Sequence, residues 1–291
     1  MQPLKYARAT TVDEAVSLLA DNGPGARVLA GGTDLIVNAR ERTRDVDVLV
    51  DIKAIPETMA IEFDADAGLT IGAATPCYQL YNNAQIQEAY PAIVDCASLI
   101  GGTAIQGRAS LGGNLCNSGP AGDSIPPMIV LEATANIAGP GGTRSVPVED
   151  FCTAPGQNVL ADGELLVSIS FPAPRPNSGA RFLRFIPRNE MDIAVVNAAA
   201  SLQLDGDTVT QARVAIGAVA ATPLFVPAAG EALVGNALTD ETIAAAAAAA
   251  REAATPIDDM RGSIKQRKHL SGVLTQRVIL GAANRSRGLD A

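Results

Sequence analysis

The residues with the most chemical promise in this chain sit in two glycine turns, Ala30-Gly31-Gly32-Thr33-Asp34-Leu35 and Ser110-Leu111-Gly112-Gly113-Asn114. Each joins a pair of glycines to a hydroxyl or amide side chain beside an apolar, strand-like run. Backbone without a Cβ can come close to a ligand and turn its N–H groups toward an anion. Two such turns could grip one extended anionic cofactor from both sides. Thr33 and Ser110 offer hydroxyls and Asn114 an amide, while Asp123, expected in a loop, suits a ribose or adenine hydrogen bond. Asp34 opposes phosphate unless it turns away to cap the helix that follows. Taken singly, each turn also fits a generic strand–turn–helix. Neither has the G-x-G-x-x-G spacing of a dinucleotide fold, and no G-x-x-x-x-G-K-[ST] loop occurs.

Other chemistries have little to work with. The single histidine, His269, lies in the basic stretch Lys265-Gln266-Arg267-Lys268-His269 and is expected on a helix surface. One histidine leaves no room for a Ser-His-Asp triad in the usual form or a multi-histidine metal site. Cys77, Cys96, Cys116 and Cys152 are scattered without a C-x-x-C, the wrong spacing for a local iron–sulfur or zinc site. They read as small core residues in a reducing compartment, with Cys116 set apart by lying two residues past the second turn. The formal charge of −9 speaks against non-specific nucleic-acid binding. The longest apolar block, residues 243–250, is too short and too alanine-rich to span a bilayer. Lys5, Arg8, Asp13 and Glu14 interrupt the start before a secretory apolar stretch can form, so a cytoplasmic location is expected.

The elements that must position these turns are legible in outline. Thr11 to Glu14 reads as a capping box opening a helix that Asn22-Gly23-Pro24-Gly25 stops. Residues 27–30 form a short strand into the first turn, and residues 35–40 a short helix out of it. Strands are expected at 46–52, by alternation, and at 68–73, with Thr75-Pro76 opening a helix. Residues 100–123 hold seven glycines and are expected to be a long functional loop rather than helix or sheet. Residues 129–133 and 135–138 read as successive strands, with Gly139-Pro140-Gly141-Gly142 as a turn and residues 165–171 as a strand ending at Pro172. The proline-rich segment 172–179 divides the chain into parts 1–177 and 178–291. After it come strands at 180–186, 194–204 and 208–218, then helices at 244–254 and 271–282, packed on one face of the small sheet. Residues 284–291 read as a solvated tail.

With these motifs in order, the whole chain resembles the FAD-binding (medium) subunits of the molybdenum hydroxylases, of the xanthine dehydrogenase and carbon monoxide dehydrogenase type. Leu29 to Leu35, Arg108 to Leu115 and Pro120 to Pro127 carry the resemblance in the first part. Met191 to Val196, Ala212 to Gly217 and Pro256 to Ser263 carry it in the second. It implies an α+β protein: a two-part FAD-binding domain of the vanillyl-alcohol-oxidase type, then a small domain with a three-stranded antiparallel sheet and a helical bundle. FAD is implied on this chain, held without a covalent bond. Leu29, Ala30, Gly31, Gly32, Thr33, Asp34, Leu35 and Ile36 correspond to the family's first FAD loop. Ser110, Leu111, Gly112, Gly113 and Asn114 correspond to the second, and Asp123 to the acid after it. Ile100 matches an apolar residue packed on the cofactor, and Leu166 a position whose backbone faces it. Arg184 falls where some relatives carry a lysine near the pyrimidine end of the flavin, against the alternative of a surface arginine on a strand. Ile193 falls beside the ring, where some relatives have tyrosine.

The resemblance further implies a large molybdopterin-binding subunit, a small subunit with two 2Fe-2S clusters, and an electron acceptor that is NAD, oxygen or a quinone. The chain departs from the family at Pro187, which precedes Arg188 where relatives often have two arginines. It also lacks the cysteine insertion of one branch, so no iron–sulfur cluster is expected here. Two other readings compete: a stand-alone FAD-dependent oxidase or dehydrogenase, and a cofactor-free assembly protein that keeps the fold.

Overall fold

A computed structural model describes residues 3–289. The chain begins with three parallel strands, β1 (Lys5–Arg8), β2 (Ala26–Leu29) and β3 (Val48–Asp51), in the order β1-β3-β2. The helix Val12–Asn22 links β1 to β2, and Thr11 caps it by accepting from the Glu14 N–H at 3.1 Å. Glu14 closes back on the Thr10 N–H and hydroxyl, one residue earlier than a capping box expects. All four residues of β3 are buried, so the expected alternation is absent. A parallel strand between two others, covered by helices, has no wet face.

The second sheet is antiparallel, with β4 (Ile61–Asp64), β5 (Gly68–Gly72), β6 (Thr134–Gly139), β7 (Gly142–Pro147) and a later strand, β10 (Leu165–Phe171), in the order β4-β5-β10-β6-β7. Between β7 and β10 lies a small hairpin of β8 (Cys152–Ala154) and β9 (Gln157–Asn158). Helices cover this sheet. Pro76 stands at the N-cap of Cys77–Tyr81, one position later than the Thr-Pro signal predicts, because the Thr75 hydroxyl bonds the Ala60 carbonyl instead.

Two expectations are corrected here. Residues 100–123 are not one loop: they contain the helices Thr103–Gln106 and Leu111–Asn117. The second glycine turn is therefore the first turn of a helix, with Ser110 as N-cap accepting from the Gly113 N–H at 3.0 Å. Residues 129–133 do not form a strand either, since Ile125–Val130 is a helix with proline in its first turn. All six of its residues are buried, and a wholly buried helix shows no amphipathic period to read.

After the proline-rich segment come β11 (Ser178–Phe185), β12 (Val196–Asp205), β13 (Thr208–Gly217) and a two-residue β14 (Leu224–Phe225), which adds a short fourth strand to the three expected. Period-two alternation divides the labour of this sheet. Ala198, Ala200, Leu202, Val214 and Ile216 face the helices Asp240–Ala253 and Ile264–Ser286 and build one core with them. Phe182, Ala199 and Ala215 face the opposite way, into the core of the first part of the chain. From that same face Ser201 donates to the Val130 carbonyl at 2.7 Å. The helix at the end runs to Ser286, longer than expected, so the first three residues of the predicted tail are helical; Asp290 and Ala291 lie outside the described residues. His269 is exposed on that helix, whereas Arg267 is buried and donates to the Val195 and Ala218 carbonyls.

The two parts are bolted by Asp95, on the helix Pro91–Ala97. Its carboxylate accepts from Arg285 at 2.7 and 2.9 Å, from Arg181 at 2.8 Å and from the Phe182 N–H at 3.1 Å. Replacing it leaves the Arg181 guanidinium without its carboxylate and Arg285 with only the Ala180 carbonyl, at 2.7 Å. Asp95→Ala is expected to lose roughly 2–4 kcal/mol of stability, read as a lowered urea midpoint. An unchanged midpoint would show the junction to be held by apolar packing alone.

Candidate cofactor site

The site is built where β2 ends. From Leu29 the chain passes into Ala30–Asp34 and then into the helix Leu35–Glu41, whose return leads to β3. The carboxyl ends of parallel strands are where such folds bind ligands. Lys53, just past β3, reaches over and donates to the Ala30 carbonyl at 2.8 Å. The same ammonium pairs with Asp51 at 2.7 Å, and Tyr6 donates to the other Asp51 oxygen at 2.7 Å. Burial pushes the Asp51 pKa up, but Lys53, its backbone N–H and Tyr6 outweigh that and hold it below the ordinary range.

The second glycine segment is set against the first by direct contact. A Cβ on Gly31 would overlap the Arg108 carbonyl, and Arg108 Nε donates to the Gly31 carbonyl at 2.9 Å. Ala109 is in turn clipped to the Cys77 N–H at 2.8 Å. Gly112 lets its helix rest on the end of β5, where a Cβ would lie 2.6 Å from Ala73 Cα. Gly32 has a φ of +76°, the left-handed region in which other residues are strained. Gly113 differs from these. It is exposed, and a Cβ there would meet only Ser110 Oγ, at 3.0 Å.

Between the two segments lies a cleft of about 360 Å³. Ala30, Gly31, Gly32, Thr33, Asp34, Leu35, Ile100, Ser110, Gly112, Gly113, Asn114 and Leu166 all line it. A third wall, residues 158–165, was not read from the sequence; Asn158 fixes it to the Cys116 carbonyl at 2.9 Å. Arg27, Val28, Asn38, Arg44, Cys116 and Asn117 also line the cleft and were likewise missed as ligands. The one available signal was position: Arg27 and Val28 lead into the first turn, and Cys116 and Asn117 follow the second. Burial pushes the Cys116 thiol up to about 12, so it stays protonated at neutral pH.

Some predicted residues lie outside the cleft wall. Leu29 and Leu111 are buried in apolar clusters, and Ile36 packs beneath Gly32. Asp123 is not the accessible loop residue expected: it is buried, ion-paired with Arg184 and bonded by Asn197 at 3.0 Å. Burial raises its pKa despite the neighbouring guanidinium. The pair is off the cleft wall and is linked to the second segment through the next residue, Ser124, which donates to Asn114 Oδ1 at 2.7 Å. Ile193 is half exposed in the loop whose Met191 approaches Gly102, two residues after Ile100.

Among the described residues, no protein acceptor takes the N–H groups of Gly32, Thr33 or Asp34, and the Asp34 side chain makes no cap bond. Free backbone donors, a glycine open to the cleft and a buried Arg27 Nε without a partner form a cradle suited to an extended anion. Residues 2–174 match the family described as the FAD binding domain in molybdopterin dehydrogenase, and residues 181–282 the CO dehydrogenase flavoprotein C-terminal domain. The chain belongs to this FAD-binding family. It is 34% identical to the xanthine dehydrogenase FAD-binding subunit of Escherichia coli O157:H7 over 94% of both chains. It is 30% identical to the carbon monoxide dehydrogenase medium chain of Hydrogenophaga pseudoflava over 96% of both. Among solved structures it superposes on reconstituted CO dehydrogenase from Oligotropha carboxidovorans with a TM-score of 0.93 at 31% identity, covering 98% of this chain and 100% of that one. Quinoline 2-oxidoreductase from Pseudomonas putida 86 gives 0.90 at 31% identity, with 98% of each chain covered.

The chain is thus a FAD-binding oxidoreductase subunit. Gly113→Val should fill the open side of that cradle and abolish flavin retention with an unchanged thermal midpoint, whereas Gly112→Ala should lower the midpoint by overpacking, at about 1–3 kcal/mol. Full flavin occupancy in Gly113→Val would remove that residue from the site. The Asp51 anchor has a definite pH signature. A carboxylate depressed in the fold contributes stability in full above its unfolded pKa of about 4 and loses it as pH falls through the lower folded value. The stability gap between wild type and Asp51→Asn should therefore be widest above pH ~4 and shrink on acidification. A gap that widens toward acid would contradict the Lys53 anchor.

Proposed function

We propose that this chain is the FAD-carrying electron-transfer subunit of a molybdenum-containing hydroxylase, accepting electrons from iron–sulfur clusters on a small partner subunit and passing them to an external acceptor. In this reading a large subunit with the molybdenum cofactor oxidises the substrate. The observation that supports it most is the single continuous cleft bounded by both glycine segments, in a chain aligned almost end to end with medium subunits of this family. The cofactor, when bound, supplies the redox chemistry, and the protein supplies binding, orientation and electrostatics.

The protein's part follows from its own groups. The free N–H groups of Gly32, Thr33 and Asp34 and the Ser110-capped helix start would face the pyrophosphate. Lys53 and Arg108 keep the first segment in register by holding the Ala30 and Gly31 carbonyls. Ile100, on the cleft wall, would offer aliphatic surface to the ring, and Ile193, half exposed on the loop beside Gly102, would limit water there. Among the described residues the cleft wall contains no histidine, and its cysteine is held protonated, so it offers neither an imidazole base nor a ready thiolate. That favours a relay over a stand-alone oxidase with its own substrate chemistry. Among the described residues no helix is long and apolar enough to cross a membrane, which accords with a cytoplasmic complex.

Co-expression with the neighbouring reading frames tests the proposal. The chain should co-purify with a large and a small subunit, show flavin absorbance near about 450 nm, and lose all substrate oxidation when isolated. A free flavoprotein that oxidises substrate by itself would sink it.

A further inference from the structure

We propose that residues 161–164 are a strap that gates the cofactor cleft and that Arg144 is the positioning residue that keeps it shut, an assignment that rests on the cofactor reading above. The walls of the cleft are held in different ways. The two glycine segments are fixed by close backbone approach, Gly31 to Arg108 and Gly112 to Ala73. The third wall has apolar anchors only at its ends. Val159 and Leu160 rest on the core of the first part of the chain, and Leu165 is fully buried. Ala161, Asp162, Gly163 and Glu164 lie between these anchors, line the cleft, and belong to no helix or strand.

Polar bonds hold this stretch in place. Arg144, on β7, does not line the cleft, yet it meets Glu164 as a fork. Its Nε donates to one carboxylate oxygen at 2.8 Å and its Nη2 to the other at 2.7 Å. The same Nη2 donates to the Val159 carbonyl at 2.8 Å, so one guanidinium ties both ends of the strap. Glu164 Oε2 also accepts from the Ala161 N–H at 2.7 Å, and the Glu164 N–H donates to the Ala161 carbonyl at 3.0 Å. The glycine turn Gly139-Pro140-Gly141-Gly142 gives the strap a seat. A Cβ on Gly139 would lie 2.5 Å from Glu164 Cγ, and one on Gly163 would lie 3.0 Å from Pro140 Cγ. A bidentate pair of this kind is strong for a side-chain contact, but it is partly exposed and can open without unfolding either core. It also offsets charge, since Glu164 shares the cleft wall with Asp34 and Asp162 and the cofactor is an anion.

The test loads the full chain with FAD and follows flavin release on dilution by fluorescence. Arg144→Met should speed release roughly tenfold, with the thermal midpoint of the apoprotein retained and faster hydrogen exchange confined to the strap. Arg144→Lys, which keeps the charge but loses the fork, should speed it roughly threefold. Glu164→Gln should also speed release, although it removes negative charge from the cleft wall. Arg175→Met, which breaks a partly exposed pair with Glu132 away from the cleft, should release flavin as wild type does. Wild-type release from a folded Arg144→Met overturns the gate. Slower release from Glu164→Gln overturns it too, by reducing Arg144 to charge neutralisation. Should Arg144→Met fail to fold, Arg144→Lys decides: faster release supports the role and unchanged release removes it. A wild-type chain that holds no FAD would instead overturn the cofactor reading itself.

Discussion

The site depends on one contact, the seating of the Gly31 backbone on the Arg108 carbonyl. The two glycine segments are 77 residues apart in sequence, and no strand pairing joins them directly. They meet because Gly31 has no Cβ to hold Arg108 away, and the Arg108 guanidinium then returns a bond to the Gly31 carbonyl at 2.9 Å. Any side chain at Gly31 would have to displace backbone, which a packed interior resists. The cleft between the segments is what remains once this contact fixes their separation. Lys53 and Cys77 then work on either side of it, each tying one segment to its own sheet or helix layer.

Seen from that contact, the glycines of the two motifs have different physical jobs. Gly31 and Gly112 serve close approach of protein to protein, and Gly32 serves a backbone angle. Gly113 alone leaves room on the cleft side. A reading of the sequence assigns all four to the ligand, because a missing Cβ looks the same whatever it makes way for. The motif is still a reliable pointer to the site. Most of its glycines build the walls, and their absence of side chains keeps two loops close enough to share one ligand.

What could be read from the sequence follows the same logic of local against distant causes. The helix after Thr11, the strands of the C-terminal sheet and the first glycine turn are dictated by neighbours in sequence, and all stand where expected. The segment from Ser110 to Asn117 was misread because two glycines oppose helix by propensity, while Ser110 capping and burial of Leu111 and Leu115 against the core favour it and prevail. Residues 129–133 look like a strand in the sequence because burial on every side of the helix Ile125–Val130 erases its period. The third wall at residues 158–165 carries no motif. It joins the site only because β10 pairs between β5 and β6 and brings its approach over the cleft.

The pairing of Asp123 with Arg184 shows how tertiary contacts redirect residues whose type suggests ligand binding. Read singly, the acid suits a ribose and the arginine a charged ring. Placed together they neutralise each other in a buried pocket behind Asn114, with Asn197 on the remaining carboxylate oxygen. Their joint burial makes separation expensive, since either one alone would be an uncompensated charge. Arg184 and Asn197 come from β11 and β12, so the pair also ties the C-terminal sheet to the loop beside the second glycine segment. In this arrangement the pair couples the C-terminal part of the chain to the second segment through Ser124 and Asn114, although among the described residues none after Leu166 lines the cleft.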